Sequence, residues 1–136
     1  MIADATPIAG DKSRAELDAL THVIIGCAHR VSSGLGMGFL EKVYENALRI
    51  ELRKAGLNVD QQTPVDVSYG GEVVGEYITD LIVDSSVIVE VKAAERSSGA
   101  HRAQCVHYLR ATGFRVCLLL NFGASRLETN RFVLNF

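Results

Sequence analysis

A chain of 136 residues, 48% hydrophobic and 22% charged, is long enough for one core and too apolar for a disordered linker. Its formal net charge of −2 sets aside a strongly basic nucleic-acid binder. No apolar run approaches the roughly 20 residues of a membrane-spanning helix.

Residues 1–12 read as a flexible tail ahead of a single domain over 13–136. Ser13, with Glu16 three residues on, is a capping box. Leu17, Leu20, Thr21, Ile24, Ile25, Ala28 and Val31 then recur at helical spacing. The stretch Ser32-Ser33-Gly34-Leu35-Gly36-Met37-Gly38 ends that helix in a glycine-rich turn. It lacks the Gly-Lys-Ser/Thr ending of a phosphate-cradling loop, so a helix-helix connection is the better reading. A second helix is expected from Phe39 to Lys54, with Leu40, Val43, Ala47 and Leu48 as its buried stripe. Glu41 and Tyr44, three apart, are surface neighbours on it. Taken alone, Glu41 is an acid favoured by the helix dipole, and Tyr44 is a packing residue with a satisfied hydroxyl.

Val59 to Val74 reads as strand, turn, strand. Pro64 marks an edge or bulge, and Gly70-Gly71 marks a hairpin turn. Next, Tyr77–Val83 and Val87–Lys92 flank Asp84-Ser85-Ser86, a second hairpin. Alternation puts Val87, Val89 and Val91 on one face and Ile88, Glu90 and Lys92 on the other. Apolar residues on both faces place this strand inside a sheet, so Glu90 and Lys92 are charged groups in a buried setting. If the turn has three residues, Val83 faces Val87 and Asp80 lies opposite Glu90. Opposed Cβ atoms stand about 4.5–5.5 Å apart, where two poorly solvated carboxylates repel unless a proton or cation intervenes. A divalent cation with oxygen ligands, Mg²⁺ or Mn²⁺, is the simplest relief. Lys92, about 6.6–7 Å along the same face, adds a positive charge. Metal, two acids and a lysine suit phosphodiester cleavage. The plain alternative is a half-wet face with Glu90 paired to Lys92; Ile78, Ile82 and Ile88 on that face argue against it.

Ala93 to Gly99 is a loop with Glu95 and Arg96 on its solvated rim. A third helix is expected from Ala100 to Ala111, ended by Gly113, with His101, Gln104 and Tyr108 on one face. His101 is a tempting general base, and His107 reads as half-buried packing. Arg115–Asn121 is a fully buried strand with Cys117 as a small core residue. Gly123–Asn130 reads as a loop and Arg131–Phe136 as a last strand. Cys27, Cys105 and Cys117 form no CxxC pair, and no signal peptide is recognisable, so reduced thiols and a cytoplasmic location are expected. Other basic residues, such as Arg49, Arg53, Arg102 and Arg126, are scattered.

Asp80…Glu90-Val91-Lys92 resembles the signature of the PD-(D/E)xK nuclease superfamily. Gly38-Phe39-Leu40-Glu41-Lys42-Val43-Tyr44 resembles the motif of its GxxExxY branch, and Gln104…Tyr108 fits the QxxxY element of some members. Thr79 replaces the proline of the superfamily's name. The resemblance implies a restriction-endonuclease-like α/β fold with a mixed central sheet flanked by helices. It also implies a metal-dependent nuclease that leaves 5′-phosphates. Asp80, Glu90, the Val91 carbonyl and Glu41, directly or through water, would hold Mg²⁺ or Mn²⁺. Lys92 would position the water, with Gln104, Tyr44 and Tyr108 in support, which leaves little need for His101 as a base. Nucleic acid is the implied partner. The competing readings are a non-catalytic nucleic-acid- or protein-binding module that kept the fold, or a subunit whose target recognition comes from a second copy or a partner protein.

Overall fold

The computed structural model describes residues 9–134. The elements are α1 (Arg14–Leu35), α2 (Glu41–Lys54), β1 (Val59–Tyr69), β2 (Glu72–Val83), β3 (Val87–Lys92), α3 (Gly99–Thr112), β4 (Val116–Asn121) and β5 (Glu128–Val133). The five strands form one sheet in the order β1-β2-β3-β4-β5. β3 and β4 are parallel, joined by α3, while the other neighbouring pairs are antiparallel. This is the mixed sheet that the motif order implies.

Strand alternation builds the layers. Val87, Val89 and Val91 of β3, with Val116, Leu118 and Leu120 of β4, face Leu20, Ile24, Leu48 and Leu52 of α1 and α2. The intervening Ile88, Cys117 and Leu119 face Cys105, Tyr108 and Leu109 of α3. Two central strands buried on both faces are what their unbroken apolar runs require. Each fully buried leucine contributes roughly 1.5–3 kcal/mol. All three thiols are buried and free.

Local chemistry fixes the ends. Ser13 Oγ accepts from the Glu16 N–H at 3.2 Å and Ser13 N–H donates to Glu16 Oε1 at 3.1 Å, the capping box expected for α1. Ser98 and His101 form a second box at the start of α3. Asp84 and Ser85 both take positive φ (50° and 51°) and Ser86 N–H closes on Val83 O at 3.0 Å. That tight turn sets Val83 against Val87 and Ile82 against Ile88, the register deduced from a three-residue connection.

Several expectations are corrected. The second strand of the first hairpin and the first of the second are one strand, β2. The glycine pair turns the chain, but nothing breaks it again before Asp84. β5 begins at Glu128, ahead of the expected Arg131. α2 begins at Glu41 instead of Phe39. Leu40 is 81% exposed and Val43 is exposed too, because Tyr44, Leu48 and Leu52, four apart, form the buried face. Ile78 is 51% exposed, since β2 there has run past the end of its pairing with β3. His107 is exposed as well. Residues 1–8 of the expected tail lie outside the described residues. Beyond them, Gly10 N–H donates to Ser85 O at 2.7 Å and Ala9 packs on the α3-side core. No helix among the described residues is long and apolar enough to cross a membrane.

Candidate active site

β2 and β3 pair from Val83–Val87 to Leu81–Val89 and then part. Asp80 and Glu90 come next, where the ladder opens, and they take over its hydrogen bonds. Asp80 N–H donates to Glu90 Oε2 at 2.9 Å, and Val91 N–H donates to Asp80 Oδ2 at 2.8 Å. Each acid thus grips the backbone of the other's strand with one oxygen. Glu90 is 2% exposed, among the least solvated charged side chains described.

The electrostatics follow from this closeness. Burial, reinforced by the charge of Asp80, pushes the Glu90 carboxyl up to about 9. Burial, with Glu45 and Glu41 adding repulsion, also raises Asp80, against the pull of the Val91 hydrogen bond and Lys92. The charge of Lys92 lowers both acids, so it is electrostatically part of the cluster. Tyr108 is raised by burial and by the same two acids.

Two grooves meet the cluster. One, about 500 Å³, is lined by Glu41, Lys42, Glu45, Gln62 and Asp80 on the α2 side. The other, about 560 Å³, is lined by Lys92, Gln104, His101 and Tyr108 beneath α3. Of the residues singled out in sequence, Glu41 and Asp80 thus line one opening and Lys92, Gln104, His101 and Tyr108 the other, while Glu90 and Val91 are buried between and line neither. Glu41 is exposed on the first. Tyr44 is fully buried away from both: its hydroxyl donates to Gly36 O at 2.6 Å and accepts from Phe39 N–H at 3.2 Å. Its ring stacks on Phe122 with centroids 4.9 Å apart. It fastens the glycine turn that presents Glu41. Tyr108 donates to Ile78 O at 3.4 Å and so braces β2 just beyond Asp80. His101 spends Nδ1 accepting from Ser98 N–H at 3.4 Å as part of the helix cap.

Two residues escaped the sequence reading. Glu45, 3% exposed, accepts from Lys42 Nζ at 2.9 Å, from Gln62 Nε2 at 3.1 Å, and from Gln61. Gln62 stands in β1 opposite Asp80 with φ of 53°, and its amide also reaches Asp80 Oδ1 at 3.5 Å. Helical spacing could have found Glu45, which lies four residues after Glu41 and shares its face. Nothing in sequence marks a glutamine in the left-handed region, where bulky residues are uncommon.

Lys92 is held from behind. Its carbonyl accepts from Phe122 N–H at 2.8 Å. Buried Asn121 accepts from Ala94 N–H and Gly123 N–H, both at 3.0 Å, and donates to Glu128 at 2.7 Å. The backbone after Lys92 is thereby pinned to β4.

A family model described as the PD-(D/E)XK nuclease superfamily matches residues 18–132. The chain belongs to this superfamily. A similar fold appears in solved structures. SSO0001 superposes with a TM-score of 0.56 at 18% identity, covering 70% of this chain and 50% of that one. The alkaline exonuclease LHK-Exo from Laribacter hongkongensis superposes with a TM-score of 0.51 at 11% identity, over 93% of this chain and 73% of that one. This chain thus spans half the length of SSO0001. Both likenesses concern the fold. No curated protein matches.

The donor set of this superfamily member suits a hard divalent cation. Asp80 and Glu90 each commit one oxygen to a backbone N–H; the other Glu90 oxygen is left for a ligand, and Asp80 Oδ1, reached by the Gln62 amide at 3.5 Å, keeps a lone pair for one. Their mutual repulsion in a desolvated place is what a cation relieves. Among the described residues no three His, Cys, Asp or Glu side chains gather into a metal-binding group. The remaining positions would fall to backbone carbonyls and water, the usual company of Mg²⁺ beside one or two carboxylates.

Proposed function

We propose that this protein is a metal-dependent nuclease that hydrolyses phosphodiester bonds of nucleic acid. The observation that carries this is the interlocked pair. Asp80 and Glu90 hold each other's strands, Glu90 buried and Asp80 half-buried, and both are pushed toward protonation, with Lys92 beside them. Asp80, Glu90 and the Val91 carbonyl would hold Mg²⁺ or Mn²⁺, and exposed Glu41 would act on it directly or through water. Bound there, such a cation would supply Lewis acidity to a water and offset phosphate charge.

The chain's own groups do the rest. Lys92, fixed by the Asn121 clamp, donates to the attacking water or a phosphate oxygen as charge builds. Glu45, anchored by Lys42 and Gln62, keeps the acidic wall in place. Gln104 contacts the phosphate or Lys92 from α3, and Tyr108 holds β2 so that Asp80 stays aligned. Tyr44 acts through the turn it fastens.

The near-complete burial of Glu90, 2% exposed, favours, as a second reading, a module that binds nucleic acid or protein without cutting. Cleavage of single- and double-stranded DNA and RNA with Mg²⁺ or Mn²⁺ separates the two. Wild type cleaves, whereas Asp80→Asn and Lys92→Ala lose at least about 10²-fold, the scale of removing a transition-state contact. Lys92→Ala retains metal binding. Binding without cleavage in every metal supports the module instead.

A further inference from the structure

The groove under α3 holds a feature that phosphate chemistry does not use. Tyr77 is 51% exposed on its wall, and its ring meets that of buried Tyr108 edge-on, with centroids 6.1 Å apart and planes at 76°. Tyr108 is in turn tied to Ile78 O at 3.4 Å. The exposed ring is therefore braced from behind, and it shares a groove with Lys92. Around it stand polar edges, the Gln104 amide and the His101 and His107 rings, among the small apolar side chains Ala100 and Ala103. At about 560 Å³ the groove lies in the size range of a small-molecule site.

Charge narrows the occupant. Of the residues lining this groove, its α2-side neighbour and the adjoining groove that shares Tyr77 and His107, the cations are Lys92, Lys42 and Arg110, and Lys42 is ion-paired to Glu45 at 2.9 Å. A protein that grips a duplex through its backbone makes roughly 6–10 phosphate contacts. Three cations, one already paired, do not provide that, and the chain's net charge of −2 adds nothing. Single strands add to their phosphate contacts a second source of affinity that a closed duplex cannot use, aromatic platforms on which exposed bases stack. A flat, braced ring with amide and imidazole edges nearby is that kind of platform.

We propose that the groove beneath α3 takes an unstacked base of single-stranded nucleic acid against the face of Tyr77, next to the phosphate served by Lys92. Tyr77 thereby sets a preference for single strands or frayed ends over closed duplex. This rests on the nuclease reading of the same site, but its readout is binding.

The test uses short oligonucleotides carrying 2-aminopurine, as DNA and as RNA, single-stranded or annealed, titrated with the full chain in Ca²⁺. Wild type binds the single strand more tightly than the matched duplex and quenches the probe as it stacks. Tyr77→Ala weakens single-strand binding about ten- to a hundredfold and removes the quench, while duplex binding stays as it was. Tyr77→Phe, which keeps the ring, restores both; a matching thermal melt excludes a folding defect. Equal losses on duplex and single strand, or no loss on the single strand, overturn the proposal. If those results come with Lys92-dependent cleavage intact, the nuclease reading survives the failure. If no nucleic acid binds at all, both fall. Tyr77-dependent binding without cleavage keeps the base site and removes the nuclease.

Discussion

Glu90 works against the fold that contains it. In the metal-free protein it is a carboxyl moved from its ordinary 4.5 up to about 9 by burial and by Asp80. Between those values the folded chain keeps a proton that the unfolded chain releases. Stability therefore falls as pH rises through that window, by at most about 1.4 kcal/mol per pH unit. Asp80, raised for the same reasons, acts in the same direction. Glu90→Gln removes this dependence: in EDTA at pH 8 the variant is expected to be more stable than wild type by about 1–3 kcal/mol. Denaturant melts of both proteins across the pH range measure it, and parallel slopes would contradict it. The Asp80–Glu90 pair was legible because a three-residue turn and strict alternation fix which side chains meet. Glu45 and Gln62 were not. Glu45 is buried only because β1 lies over α2, and Gln62 turns inward only through a positive φ that tertiary packing imposes.

Among the elements, those with strong local signals came out where expected. α1 carries its capping box, α3 ends at Gly113 in the left-handed conformation, and β4 is buried throughout. Boundaries governed by distant contacts did not. The start of α2 depends on the Tyr44 hydroxyl holding Gly36 and Phe39, which leaves Leu40 outside the helix and in solvent. The clamp behind Lys92 is another long-range device. A Cβ on Gly123 would stand 2.4 Å from Ala93 C and from Ala94 N, so the backbone would have to move. Gly123→Ala is expected to cost about 1–3 kcal/mol and to lower cleavage by shifting the segment after Lys92. Gly34→Ala, whose Cβ would meet nothing within 4 Å, serves as the control with unchanged activity. A wild-type melting temperature and rate for Gly123→Ala would contradict the clamp.

At the scale of the whole molecule, the sheet separates two cores and opens between β2 and β3 beyond the Leu81–Val89 pair. The mixed topology was readable from motif order: a parallel β3–β4 pair needs a crossover, and α3 is the segment between them. The division of the site into two grooves was not readable, because it depends on where β2 leaves β3. With a net charge of −2, the chain attracts nucleic acid weakly as a whole. Under the proposed function, affinity comes from a bound cation and from local contacts, which makes the acid pair the centre of the account. Calorimetric titration of Mn²⁺ into wild type, Asp80→Ala and Glu90→Gln at pH 8 tests that centre. The account predicts saturable binding by wild type and its loss in both variants. Wild type that takes up no Mn²⁺, or variants that bind it as wild type does, would contradict it.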